Sequence, residues 1–554
     1  MLSMSSSYKK RINRIASTLA CIGLLIPSQI PAKSSENTTD NSNHPAIATS
    51  TPILQQNLEA DSDQLVRKLE QLQTNVLENS IAISLEDAIA LGVKNNPDLE
   101  IAFREIQERE WQLIRAKRKW YPTLNINGGS PFTGYSWSTF VSNNYAKRAA
   151  IRDIKGGTTS QTTETSAAQT IKRPTTPRTT KARSKDYLTN ASATISWNFL
   201  DLTRQPDINS AEDNLRRQKL LFNVSARNLI LAIQQSYFSI QSSAQLIDSF
   251  NQIYAINKQQ FRILSERQKI GMATVLDVEQ TKSQLFAQLN QLVSYTQQYI
   301  TQAGQLAKNL ALKPGELAIP IEKAKPQGFW TRSLRQTIDE ALQQREEILA
   351  EIAAAEAADW TGIASLRQYL PVFSIQASGN LLNRNGYQNI PANEDPTKNR
   401  REIQKWDATI GIGFRWNAFD GGLNAANAET QFAQSRRFLA TASKSKLQIA
   451  QEVQSSYGAM ETAKIGIKSA EQAYRSAEIA QEAARARFDV GVGDIFSVVQ
   501  AINLLSNAAR QTSEATLTYN NSIAELYRYS ANWPMESQKD VDLRIKTNNQ
   551  TTKP

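Results

Sequence analysis

The chain of 554 residues holds one cysteine, one histidine, 22 glycines and 18 prolines. Cys21 alone excludes an intramolecular disulfide and a cysteine-based metal cluster. His44 lies in a Ser/Thr/Asn-rich stretch and reads as a linker residue, because a zinc site needs several such ligands. There is no H-E-x-x-H, no Walker A loop and no G-x-S-x-G elbow. Gly411-Ile-Gly413 and Gly491-Val-Gly493 lack the third glycine of a dinucleotide loop. No catalytic, cofactor-binding or metal-binding residue is assigned, and no enzyme is expected. A secreted carboxylate-pair hydrolase stays formally open, although Gln-rich heptads argue against it. No apolar run reaches the ~18 residues of a membrane-spanning helix. That does not exclude a β-barrel, whose strands alternate and escape hydropathy. Scarce glycine and proline with abundant Ala, Gln, Ser and Leu point to helix.

Residues 1–32 have the layout of a signal peptide. Lys9, Lys10, Arg11 and Arg14 precede an apolar stretch from Ile15 to Ile26, and Pro27 to Ala32 offers a small-residue cleavage site. Its removal would lower the formal charge from +11 to about +7. Thr18-Leu19-Ala20-Cys21 weakly resembles a lipidation box, but the apolar run continues to Leu25, whereas a lipidated Cys normally follows the run. Residues 33–83 read as a polar tether with a short amphipathic helix near 58–79, and 535–554 as a polar, mobile C-terminal tail.

Comparing the chain with itself points to a duplication. Ser84-Leu85 and Ser333-Leu334 open helical stretches that Pro122 and Pro371 close, each pair 249 residues apart. Trp197-Asn198-Phe199-Leu200-Asp201 matches Trp416-Asn417-Ala418-Phe419-Asp420 at an offset of 219; Tyr237/Tyr457 and Gly271/Gly491 follow at 220. The repeats are placed at 84–319 and 320–534. The first has strands about 122–132 and 187–200 around a basic loop, 133–186. The second has strands about 371–382 and 406–419. Each reads helix, strand, strand, long helix, helix.

The strands alternate. Tyr187, Ala191, Ala193, Ile195, Trp197 and Phe199 interleave with polar residues, as do Trp406, Ala408, Ile410, Ile412, Phe414 and Trp416. Period 2 gives one apolar and one polar face, and about ten tilted residues cross a bilayer. The helices differ. Leu215, Phe222 and Leu229 recur every seven residues and, after a stutter, so do Ile233, Ile240, Ile247, Tyr254 and Phe261. Gln234, Gln235, Gln241, Gln245, Gln252, Gln259 and Gln260 lie off this seam and are expected to face water. A narrow seam suits the wall of a hollow tube or an ordinary coiled coil. Helices 85–120 and 273–311, stacked end to end, should match one long helix of about 95 Å over 208–270; 334–369 and 494–531 should match 424–490. Four strands cannot close a membrane barrel, whose smallest form has about eight, and an open sheet edge is forbidden in lipid. If the strands span a membrane rather than form a soluble sandwich hairpin, several chains must share a barrel under cyclic symmetry; three give twelve strands and twelve staves.

Five motifs in order resemble the TolC-type outer-membrane efflux proteins (outer membrane factors), over about 84–534. They are Ser84-Leu85-Glu86-Asp87-Ala88-Ile89 with Asn95-Asn96-Pro97; Tyr121-Pro122-Thr123-Leu124; Arg267-Gln268-Lys269-Ile270-Gly271-Met272; Phe419-Asp420-Gly421-Gly422; and Arg487-Phe488-Asp489-Val490-Gly491-Val492. The resemblance implies a mainly α chain with a β-barrel part. It implies a homotrimeric twelve-strand barrel in outer-membrane lipid, continued as a long α-helical barrel through the periplasm. It also implies a periplasmic adaptor (membrane fusion protein) and, through it, an inner-membrane pump or ABC exporter, for multidrug efflux or type I secretion. Such a passive duct takes its cargo from its pump, so the sequence names no substrate. The alternative is a non-channel coiled-coil protein of the envelope, which leaves the alternating strands unexplained.

The resemblance assigns adaptor docking to the turns: Arg267, Ile270, Gly271 and Met272, and Arg487, Val490, Gly491 and Val492. Glycine there also suits the left-handed end of a helix. It places the periplasmic entrance at Asp277, Phe488, Gly493, Asp494, Ser497 and Gln500. Here the chain departs from the family's pattern: Ser497 and Gln500 stand where carboxylates are common, Gly493 where an Arg is, and Phe488 where a Tyr is. A less anionic, less tightly tethered entrance is expected, with Asp277 and Asp494 as its remaining charge. The basic loop carries ten Lys/Arg between Lys147 and Lys185. It reads as a solvated loop, which the resemblance places outside the cell, or as one that attracts anionic polysaccharide there. Nucleic acid is not an expected partner.

Overall fold

The computed structural model describes residues 62–142, 178–391, 395, 401–534, 537–542 and 544. The signal-peptide reading, most of the tether and the centre of the basic loop lie outside them. Two short pieces come first: α1 (Ser62–Glu78) and β1 (Ser80–Ile83). The element order then repeats. It runs α2 (Leu85–Asn95), α3 (Pro97–Arg118), β2 (Thr123–Ser142), β3 (Arg178–Leu200), α4 (Arg204–Lys269) and α5 (Val275–Leu310). After β4 (Leu317–Pro320) come α6 (Leu334–Gln344), α7 (Glu346–Arg367), β5 (Val372–Pro391), β6 (Arg401–Arg415), α8 (Leu423–Asp489) and α9 (Ile495–Tyr529). The strands extend well past the alternating segments, β2 and β3 pairing as far as Ser142 and Arg178.

The four long strands form one antiparallel sheet in the order β2-β3-β5-β6. Its register aligns the two faces across all four. One row runs Leu124, Ile195, Ala377, Ile410; a neighbouring row runs Asn125, Thr194, Ser378, Thr409. The apolar face is uncovered: Ile410 is 80% and Trp406 76% exposed. The polar face links to itself, Thr123 to Ser196 at 2.8 Å, Ser378 to Thr409 at 2.8 Å and Asn380 to Asp407 at 2.9 Å. Within the chain the sheet is open, with β2 and β6 at its edges. Indole N–H groups tie it to the helices in equivalent ways. Trp197 donates to the Trp120 carbonyl (2.9 Å), and Trp416 to the Tyr369 carbonyl (2.8 Å).

The expected single helices over 85–120 and 334–369 are each broken in two. Asn96 is the reason in the first. Its Oδ1 accepts from the Asp98 and Leu99 amides, and its Nδ2 donates to the Asn309 carbonyl at 2.9 Å. Pro97 occupies the first helical position, where its missing N–H costs nothing. Helix α2 then packs beside α4 and α5. Only α3 (about 33 Å) and α5 (about 54 Å) are left to stack, short of the ~99 Å of α4.

The two long helices bury themselves differently. Helix α8 follows an unbroken heptad of mostly small residues: Ala428, Ser435, Ala442, Ile449, Ser456, Ala463, Ala470 and Ala477, all buried. Leu447, Ile465 and Ile479 on the same helix are exposed. Helix α4 packs against α2, α3, α5, α7 and α9 and is covered over a much wider face. Gln234, Gln241 and Gln260, expected in water, are buried with the seam. Neighbouring helices close around α4 on more than one side, so polar positions there are enclosed whatever their hydropathy.

A buried ion-pair network joins α4, α7, α8 and α9. Arg227 pairs with Glu346 (3.1 Å), Arg345 with Glu347 (2.8 Å) and Glu452 (2.5 Å), and Arg528 with Glu347 (2.6 Å). The Trp533 ring lies 3.9 Å from the Arg227 guanidinium. The C-terminal segment is not wholly a free tail. Val541 joins the core with α2–α4, and Arg544 donates to the Val93 and Asn96 carbonyls, which end α2.

Burial pushes the Glu347 carboxyl up, but hydrogen bonds and charge from Arg345 and Arg528 outweigh it and hold it at about 2, against an ordinary 4.5. This depressed folded-state value contributes stability above pH 4.5 that is lost as pH falls towards 2. Glu347→Gln should lower unfolding stability by about 3 kcal/mol at neutral pH, because it leaves two buried guanidiniums short of charge. Thermal unfolding over a pH series should show the gap between variant and parent closing through that window.

Candidate functional site at the helix turns

The two turns lie at the ends of α4 and α8 remote from the strands, about 100 Å of helix away. Each ends its helix by the same device. Gly271 (φ 77°) and Gly491 (φ 78°) adopt the left-handed conformation, which a side chain disfavours. Around Gly271, the Met272 amide donates to the Arg267 carbonyl (2.8 Å) and the Gly271 amide to the Gln268 carbonyl (2.9 Å). Around Gly491, Val492 donates to Arg487 (3.0 Å) and Gly491 to Phe488 (3.1 Å). This paired 6→1 and 5→2 pattern is the Schellman motif. The next helix starts four residues after each glycine, so apolar side chains at the bend find no neighbour to cover them. Ile270, Met272, Val490 and Val492 are exposed, and so are Val275, Leu276 and Phe496. Those last three were not singled out in the sequence; they open α5 and α9 and belong to no turn motif.

The entrance candidates have local structural work as well. Thr274 and Asp277 form a capping box that starts α5, the Asp277 carboxylate accepting the Thr274 amide (2.9 Å) and hydroxyl (2.7 Å). In α9 the pair is reversed: Asp494 is the N-cap and accepts the amide (3.2 Å) and hydroxyl of Ser497. Asp494 stands 220 residues after Thr274, and Ser497 220 after Asp277. The carboxylate absent at Ser497 is therefore present one turn earlier in the same cap. The Ser497 hydroxyl, then its amide, hold the Asp494 carboxyl below the usual range. Gln500 is exposed and unburdened by such a role. Gly493 donates to the Arg487 carbonyl at 2.9 Å, and a Cβ there would lie 3.1–3.2 Å from Phe488 and Arg487.

Arg267 joins the two turns. The Arg267 guanidinium lies over the Phe488 ring at 4.8 Å and donates to the Asp489 carbonyl at 3.4 Å. Phe488 is itself buried with Leu264, Val278, Ile495 and Val498. Arg267, Phe488 and Asp489 are thus brought together; Arg487 lies in the same turn without a partner role in this clasp. Higher up, α5 and α9 are linked by Gln284 with Asn503 (2.5 Å) and Gln288 with Ser506 (3.1 Å). No group of three or more His, Cys, Asp or Glu suited to a metal occurs among the described residues. None of their helices is long and apolar enough to cross a membrane.

A sheet with one uncovered apolar face and one polar face has the alternation of outer-membrane barrel strands. The family model described as Outer membrane efflux protein matches residues 89–311 and 337–532. The chain belongs to that family; it is an outer-membrane channel protein extending into the periplasm, and not an enzyme. It is 23% identical over 374 residues to the outer membrane protein TolC of Vibrio cholerae serotype O1, covering 67% of this chain and 82% of that one. The same fold occurs in the Campylobacter jejuni CmeC outer membrane channel, with a TM-score of 0.60 at 14% identity over 95% of this chain and 98% of that one. It occurs too in a membrane protein from Pseudomonas aeruginosa, with a TM-score of 0.61 at 16% identity over 80% and 92%.

Arg267→Ala should loosen the turns without unfolding the chain. It removes a partly exposed cation–π contact worth about 1 kcal/mol. Hydrogen exchange should quicken in the turns around Gly271 and Gly491, while the global melting temperature stays nearly unchanged.

Proposed function

We propose that the chain is the outer-membrane duct of a three-part export machine, a homotrimer that a periplasmic adaptor couples to an inner-membrane pump or ABC exporter. The observation that carries this reading is the open sheet: an uncovered apolar face with unpaired edges at β2 and β6. Lipid covers such a face, but it supplies no partner for the edge N–H and C=O groups. Pairing β6 of one copy with β2 of the next satisfies both, and three copies make a twelve-stranded barrel with its polar face inside. The exposed flank of α8 then meets a neighbouring copy. An envelope coiled-coil protein has no use for this sheet. The turns are the adaptor-docking end, with Ile270, Met272, Val490 and Val492 offering apolar tips and Arg267 and Arg487 set beside them. Cargo is selected by the pump, for drug efflux or type I secretion alike.

The first test is the mass of the detergent-extracted particle. Three chains are expected; one or two would remove the shared barrel. At the entrance, Asp277 and Asp494 supply charge while capping helices, so the duct should show only a weak preference for cations. Asn is itself a good N-cap at 494, and at 277 its Oδ1 can still accept from the Thr274 amide. The Asp277→Asn, Asp494→Asn double variant should therefore fold normally and lose that preference in planar bilayers. A strong preference that survives both changes would rule out these residues as its source.

A further inference from the structure

Midway along α4, about 35–45 Å from the Gly271 turn, a cleft of 400 Å³ opens between α4, Tyr299 of α5 and the segment after β4. Gln241, Gln245 and Asp248 line it, at a spacing that puts all three on one helix face. Gln241 is 3% exposed. Its Nε2 donates to the Glu322 backbone carbonyl at 2.9 Å, which fixes which way the amide points. Its Oε1 is buried and receives no hydrogen bond from the described protein, and neither does the buried Oε1 of Gln245. Buried carbonyl oxygens of this kind are normally satisfied. The Glu322 carboxylate accepts the Tyr237 hydroxyl and keeps further acceptor sites. Asp248 adds a second carboxylate, while Lys323, the one cation in the lining, is exposed.

The lining is thus rich in acceptors, carries a net negative charge and has an aromatic wall. Its volume is in the range of small-molecule sites, about 300–1,000 Å³, and is far larger than one ion needs. With only two carboxylates it also lacks the ligand set of a dedicated metal site. We propose that this cleft binds a small organic ammonium ion, whose N–H groups satisfy Gln241 and Gln245 and whose charge faces Asp248 and Glu322. The site lies away from the turns and the sheet, so the proposal does not depend on the export function argued above.

The probe is putrescine, titrated calorimetrically into the detergent-extracted full chain. Saturable binding is expected, with none for 1,4-butanediol, which has the same length and no charge. Gln241→Leu and Asp248→Asn should each weaken binding about tenfold, as for loss of a hydrogen bond to a charged group. Asp248→Asn is a near-isosteric change at an exposed position, so it reports on binding even where Gln241→Leu disturbs packing. Absence of saturable putrescine binding overturns the proposal. So does equal binding of butanediol, unchanged affinity in Asp248→Asn, or displacement of putrescine by stoichiometric calcium chloride.

Discussion

Everything about this chain answers to the backbone groups along the outer edges of β2 and β6. In water an unpaired strand edge is a liability; in lipid each unpaired group costs several kcal/mol. The apolar face of the sheet belongs in lipid, so the edges must pair with something. The two strand pairs also set where the helices begin. α3 and α4 leave one pair, α7 and α8 the other, and indole bonds from Trp197 and Trp416 hold each junction. The helical part is thus placed by the sheet, and its hairpins are carried to the far end by the length of α4 and α8.

The two repeats have the same order of elements and different packing. Helix α8 buries mainly a narrow stripe of small side chains, whereas α4 is surrounded at its middle, buries more residues and includes two arginines, Arg204 and Arg227, among them. The buried charges are tolerable because they are paired. Arg227, Arg345 and Arg528 meet Glu346, Glu347 and Glu452, and the network crosses from one repeat to the other. Pairing offsets desolvation and adds little net stability, but removal of a single partner is costly. Its physical effect is to make the relative placement of four helices interdependent.

At the turns, the same side chains meet two demands. A reversal within a few residues needs a left-handed glycine, a cap for the next helix and something to close the gap between hairpins. Asp277 and Asp494 provide the caps from opposite ends of the same three-residue spacing, and Arg267 on Phe488 closes the gap. A loss of charge read from Ser497 alone is therefore partly a change of position: the carboxylate has moved to the N-cap. Capping also restrains these carboxylates, which limits how freely they can orient towards a passing ion.

Much of this was legible in the chain because it rests on local periodicity and local turn chemistry. The alternation at 187–199 and 406–416, the glycines at 271 and 491, the long proline-free stretches and the repeated anchors required no knowledge of partners in space. What escaped had its cause elsewhere in the chain. The break at Asn96 is itself local, the work of the Asn96 cap and Pro97, but its tie to the Asn309 carbonyl is not; the burial of Gln234, Gln241 and Gln260 depends on other elements that pack around α4. The heptad of α8 escaped hydropathy because alanine and serine mark close approach rather than oiliness. Arg544 looked like part of a polar tail, and only the ends of α2 show what its guanidinium binds. Sequence by itself determined the elements, their repetition and the two faces of the sheet, since side-chain spacing along one strand or helix decides these. Tertiary structure alone decided which polar groups are buried, which charges pair and which arginine reaches which ring, because burial and pairing are properties of neighbours that folding brings together.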